Sequence, residues 1–136
     1  MKKSVFLDTA GIIALFVEQD DAHLAAVKFL KSFMQLGFML VTTDLVLNET
    51  VTWLRYNKVS ITDVFQCLHN LYINDLEVIE VGRERFSNAL ILMHKYEDHC
   101  FSMVDASSFI VMKEFKISDV LTKDKDFVVA GFSKLL

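Results

Sequence analysis

Asp8, Glu49, Asp105 and Asp124 are the residues of this chain best suited to act together, although 41, 56 and 19 positions separate each from the next. Carboxylates so far apart meet only if the tertiary fold gathers them. Once gathered they repel one another, and loss of water sharpens the conflict until at least one takes up a proton. A divalent cation relieves it. Mg²⁺ in particular takes oxygen ligands in octahedral geometry, usually one or two carboxylates, several waters and the oxygens of a phosphate. The chemistry these residue types point to is that of acidic side chains around a hard metal ion.

Each acid taken singly has a plainer reading. Asp8 before Thr9-Ala10 suits a helix N-cap, and Ser102-Met103-Val104-Asp105 suits a capping box with a shortened acidic partner. Asp124 and Asp126 suit a turn, and Glu49 a solvated helix position. Their joint occurrence favours the collective reading. Other constellations are missing: GxGxxG, GxxxxGK and GxSxG all fail to match. The histidines at 23, 69, 94 and 99 lack zinc-type spacing, and His94 and His99 flank an acidic stretch where solvated surface is expected. Cys67 and Cys100, 33 positions apart, are expected to be two buried free thiols.

The elements that must position the acids follow from hydrophobic periodicity. Val5-Phe6-Leu7 is a short apolar run ending at Asp8, as a strand buried on both faces would. Helical spacing begins at Thr9, and a second helix starts at Asp20 or Asp21 and stops at Gly37. Phe38–Val41 reads as the second strand, with Thr43 or Asp44 capping a helix to about Tyr56. Ser60 opens another helix to about Tyr72, and Leu76–Ile79 is the third strand. Gly82 precedes an amphipathic helix carrying Phe86, Ala89, Leu90 and Met93, and Ser102 caps one reaching Phe115. Val120-Leu121 is the fourth strand, and Phe127-Val128-Val129 offers a fifth. Strands alternating with helices predict right-handed crossovers and an α/β fold: a three-layer α/β/α sandwich on a mainly parallel sheet of four to five strands. In such sheets ligands bind beyond the carboxyl ends of the strands. Asp8 and Asp124 lie there directly, Glu49 about one turn into the helix after the second strand, and Asp105 in the first turn of the helix before the fourth.

At 136 residues, 53% of them hydrophobic and 24% charged, the chain is expected to form one domain over 1–136 with a substantial core. No apolar run approaches the roughly 20 residues of a membrane span, and Asp8 interrupts the opening one, so a cytoplasmic protein without membrane contact is expected. Fourteen Lys and Arg against eighteen Asp and Glu leave a formal charge of −4. That balance disfavours nucleic-acid binding by counterion release alone, though not through a local basic rim.

With these segments in place the chain resembles a PIN domain, the nuclease fold of VapC-type toxins and several RNA-processing factors. The resemblance runs end to end, through Val5-Phe6-Leu7-Asp8-Thr9, Asn48-Glu49-Thr50, Phe101-Ser102-Met103-Val104-Asp105-Ala106 and Leu121-Thr122-Lys123-Asp124-Lys125-Asp126-Phe127. Gly131-Phe132 with Leu135 also resembles the short closing strand of such toxins. What it implies is endonucleolytic cleavage of RNA dependent on Mg²⁺ or Mn²⁺, leaving a 5′-phosphate and a 3′-hydroxyl. Asp8, Glu49 and Asp105 would be the three core acids and Asp124 the more variable fourth, with Asp126 an ambiguous supporting neighbour. Asp8 and Asp105 would hold the main ion, with Glu49 and Asp124 binding a second or orienting water. Thr9 and Thr122 match hydroxyl positions that orient a carboxylate. Trp53, one helical turn from Glu49, with Arg55, Lys123 and Lys125, are candidate RNA contacts. A toxin role would bring a small antitoxin partner, and Phe29, Phe33, Leu68 and Tyr72 are candidates for its groove or for a homodimer interface.

A receiver-type signalling module is the rival of another class. It wants an acidic pair near the first strand and a phosphoacceptor after the third, where this chain has Glu80-Val81-Gly82. A phosphatase with Asp-x-Asp at the first strand fails on Ala10. A processing nuclease and a catalytically silent PIN-like interaction module remain as alternatives within the fold.

Overall fold

The computed structural model describes residues 2–136. Five strands, β1 (Ser4–Leu7), β2 (Met39–Thr43), β3 (Glu77–Ile79), β4 (Asp119–Leu121) and β5 (Ser133–Lys134), form one sheet in the order β3-β2-β1-β4-β5. Every pairing is parallel. The helices are α1 (Thr9–Phe16), α2 (His23–Gln35), α3 (Asp44–Tyr56), α4 (Ile61–Ile73), α5 (Gly82–Lys95), α6 (Met103–Glu114) and α7 (Asp126–Val129).

Right-handed crossovers decide the layers. The chain steps outward from β1 to β2 to β3, which puts α1 to α4 on one face. It then crosses back to β4 and on to β5, which puts α5 to α7 on the other. The helix packing agrees: α1 rests on α2 and α3, and α3 on α4, while α6 packs against α5 and α7. The connections therefore diverge between β1 and β4, and the crevice at their carboxyl ends is the place where such sheets bind ligands.

Local signals set the helix ends. Thr43 and Ser60 accept hydrogen bonds from Val46 N and Asp63 N, each at 3.1 Å. Gly37, at φ +72°, closes α2 in a Schellman motif, with Phe38 N donating to Phe33 O at 2.9 Å and Gly37 N to Met34 O at 3.2 Å. The same paired bonds end α3, α4 and α6, yet the left-handed residues there are Lys58, Asp75 and Lys116. The sequence reading gave these ends no glycine signal.

The core is built on Val5, Phe6, Leu7, Leu40, Val120 and Leu121 from the sheet, with Ile12, Phe33, Phe109 and Phe127 from the helices. Gly11 lets α1 lie directly on β4, since a Cβ there would stand 1.9 Å from Leu121 O.

Three expectations are corrected. Phe127-Val128-Val129 is helical, within α7, because Asp124 Oδ1 accepts from Asp126 N at 2.9 Å and turns the chain; a three-residue apolar run does not distinguish strand from helix. The fifth strand falls at Ser133–Lys134. Cys67 is only half-buried and Cys100 is exposed. Phe33 is buried in a stack with Phe29 and Phe38, and Phe29 and Leu68 pack against the core, so of the four proposed interface residues Tyr72 alone is exposed.

Candidate active site

Asp8 follows β1 directly and is held from both neighbouring strands. Its N–H donates to Leu121 O at 3.3 Å, and the buried Thr42 hydroxyl donates to Leu7 O at 2.7 Å. The β1–β4 register, which ends at Leu7 opposite Leu121, sets Asp8 beside Thr122. Asp8 occupies the N-cap position of α1, but its side chain caps nothing. Instead the Thr122 hydroxyl donates to Asp8 Oδ2 at 2.8 Å, and Thr122 Oγ1 in turn accepts from Asp124 N at 3.0 Å. Thr122 thereby fixes both an acid of the β1 end and the turn carrying the next acid.

Asp8 is 4% exposed, and burial pushes its carboxyl up from the usual 3.8 to about 7. The Thr122 hydroxyl and the Thr9 N–H oppose that rise, while the charges of Asp105 and Glu49 add to it. Burial likewise raises the half-buried Asp105, against the pull of Ser102 N–H and with repulsion from Asp124 and Glu49. Asp126 is raised by desolvation and by Asp124. All five acids thus share one field.

The capping reading of Asp105 holds as well. Ser102 Oγ accepts from Asp105 N at 3.0 Å, and Asp105 Oδ2 accepts from Ser102 N at 3.2 Å. This box sets the start of α6 at the rim. Asp105, Asp124 and Asp126 each offer a carboxylate oxygen within 4.8 Å of the others. Asp126 accordingly belongs to this trio.

The donor set suits a hard divalent cation: oxygen ligands only, mutually repelling, with carboxyl groups held above their ordinary range. Thr9 Oγ1 adds a second observation. It is buried without a hydrogen-bond partner, next in sequence to Asp8, which is the condition of a hydroxyl awaiting a water or ligand atom.

The candidate RNA contacts separate. Trp53 is 39% exposed on α3, one turn beyond Glu49, and Lys125 is exposed. Lys123 Nζ is held by Asp20 at 3.1 Å and Asp21 at 2.9 Å, which neutralise it and tie the β4–α7 loop to the α1–α2 loop. Arg55 donates to Val59 O at 3.1 Å, at the end of its own helix. Asp44, also at the rim, accepts from Leu45 N and Val81 N, each at 3.0 Å, joining the loops after β2 and β3. A cavity of about 750 Å³ lies at the amino ends of the strands, near Lys3, Met39, Glu77 and Asp119, away from the acids.

Sequence reading missed His99. Its ring lies parallel to Phe101 at 5.4 Å, in the loop just before the capping box of Asp105. It belongs to the setting of the acids and not simply to the outer surface.

No family model matches the sequence, and no curated protein matches it. Solved structures do. The chain is similar to VapC20 of Mycobacterium tuberculosis, described as a sarcin-ricin loop cleaving toxin, at 26% identity and TM-score 0.84, over 94% of this chain and 95% of that one. It also resembles a chain of a toxin–antitoxin complex from Klebsiella pneumoniae, at 11% identity and TM-score 0.68, over 97% and 96% of the two chains. A chain of VapBC2 from Rickettsia felis, bound to a fragment of promoter DNA, matches at 12% identity and TM-score 0.65, over 96% of each. With its five parallel strands in this order and the VapC toxins as structural neighbours, the chain carries the VapC-type PIN-domain fold.

Proposed function

We propose that this chain is a metal-dependent endoribonuclease and the toxin of a toxin–antitoxin pair, acting in the cytoplasm as a single domain. The observation that supports the reading best is the trio Asp105, Asp124 and Asp126, whose carboxylate oxygens lie within 4.8 Å of one another, with the buried Asp8 raised to about 7 partly by the charges of Asp105 and Glu49.

Asp105, Asp124 and Asp126, together with Asp8, would hold Mg²⁺ or Mn²⁺. When bound, such an ion makes water more acidic and offsets negative charge on the phosphate oxygens. The chain supplies the rest. Thr122 fixes the direction of the Asp8 carboxylate, and the capping box fixes that of Asp105. Glu49, half-buried across the crevice, accepts at its carboxylate the proton of the attacking water. Water would add in line to phosphorus as the P–O3′ bond breaks; the departing 3′ oxygen takes its proton from solvent and Glu49 returns the one it accepted, giving a 5′-phosphate and a 3′-hydroxyl. Lys125 meets the strand on the cationic side, in place of the neutralised Lys123.

Since VapC20 cleaves the sarcin-ricin loop, the substrate class proposed here is structured RNA with unpaired loop nucleotides. Exposed apolar residues on α4, namely Ile61, Phe65, Tyr72 and Ile73, are the surface proposed for an antitoxin or a second copy. Incubating ribosomal RNA and synthetic hairpins with Mn²⁺ and the purified protein, beside Asp8→Asn, tests the reading. Discrete cleavage by the wild type alone is expected; equal cleavage by both proteins, or none by either, overturns it.

A further inference from the structure

The α5–α6 loop presents one ring whose plane is fixed from behind. His99 lies parallel to Phe101, at 5.4 Å between centroids and 10° between planes. Phe101 is buried and meets Phe109 edge-on at 5.2 Å; Phe109 meets Phe127 edge-on at 4.9 Å. Phe127 directly follows Asp126 in α7. Three packed rings therefore connect the imidazole to the short helix bearing an acid of the cluster. Tyr96 braces the same corner, its carbonyl accepting from His99 N at 2.8 Å and its ring tilted against both His99 and Phe101. The His99 side chain nevertheless keeps 39% of its surface in solvent.

We propose that His99, backed by Phe101, is a stacking platform for an unpaired base of the RNA beside the cleaved bond. The inference rests on the nuclease reading and deepens it by naming what the substrate must present: a base free of its pairing partner, as in a loop. Charge gives a reason for such a platform. The net charge is −4, the crevice is lined with carboxylates, and Lys123 is already paired with Asp20 and Asp21. Attraction to phosphates is therefore weak at this rim, and stacking on a π face supplies affinity that carboxylates do not cancel. A second ring comes from another connection: Trp53 lies on α3, which follows β2, one turn beyond Glu49, while His99 lies in the loop that leads to α6.

The test is steady-state cleavage, with Mn²⁺, of an RNA hairpin carrying unpaired loop bases, by the full chain, His99→Ala and His99→Phe, with melting temperatures taken alongside. His99→Ala is expected to raise KM roughly 10-fold, with a smaller change in kcat, the size of one lost base stack. His99→Phe, which keeps a flat ring and loses the nitrogens, should stay near the wild-type KM. An unchanged KM in His99→Ala overturns the platform while the nuclease reading stands. So does a KM in His99→Phe as high as in His99→Ala, which would assign the role to a hydrogen bond or a charge. Failure of the wild type to cut any RNA removes the nuclease reading and the platform with it.

Discussion

Thr122 Oγ1 donates to Asp8 Oδ2 at 2.8 Å while accepting from Asp124 N at 3.0 Å, so one hydroxyl joins the ends of β1 and β4. Thr122→Val keeps the shape but leaves a buried carboxyl oxygen without its donor, a loss of about 1–3 kcal/mol. The Asp8 carboxyl should rise further, since the hydroxyl now holds it down. Urea denaturation and the pH profile of cleavage check both effects; Thr122→Ser should restore most of the loss.

Stability without metal should depend on pH through Asp8. Its folded carboxyl titrates near 7 against 3.8 ordinarily, so between those values the folded chain keeps a proton that the unfolded chain has released. The stabilisation is fully present below about pH 4 and is lost as pH rises through 7, with Asp105 and Asp126 raised in the same sense. In EDTA, Asp8→Asn should flatten this dependence and melt above the wild type at pH 8, by at most about 4 kcal/mol. Melting curves across pH 4 to 8 decide it; a variant parallel to the wild type would refute the assignment.

Divalent ions should reverse that loss. Mn²⁺ at about 100 times its dissociation constant should stabilise the fold by about 2.7 kcal/mol. Asp105→Asn and Asp124→Asn should each abolish most of the rise in melting temperature. Affinity should increase as pH passes through 7, because Asp8 must release its proton to become a ligand.

Lys116 ends α6 at φ +56°, a conformation that strains a side chain and suits glycine. Its exposed position and intact Schellman bonds mean that Lys116→Gly relieves the strain without touching the core. The expected gain is up to about 1 kcal/mol, after allowing for the greater freedom of the unfolded chain. Urea titration measures it, and cleavage should be unchanged.

Much of the architecture was legible because the buried strands are short apolar runs and three helices begin at capping residues, Thr43, Ser60 and Ser102, whose side chains do cap. What escaped was set by tertiary contacts. The left-handed ends at Lys58, Asp75 and Lys116 carry no glycine signature, since the paired backbone bonds that close each helix set them. The pairing of Lys123 with Asp20 and Asp21 spans more than 100 positions, and no periodicity announces it. Asp126 entered the cluster because Asp124 turns the chain back by accepting its N–H, and His99 was drawn in by Phe101, two residues on. The acids were named from strand ends and order and were expected to crowd, while the 4.8 Å spacing of Asp105, Asp124 and Asp126 came only with the fold.

The capping box at Ser102 and Asp105 has a bearing on how chains of this shape are interpreted. A chain of this fold with no catalytic role would still be under pressure to keep an acid or amide at 105, because the cap of α6 depends on it. Its persistence is weak testimony to an enzyme. Asp8 caps nothing, and sealing it from water works against the fold, so beyond its one bond with Thr122 architecture gives little motive to retain it. Among descendants and cousins, the fate of that one carboxyl is the better witness to whether the pocket is still in use.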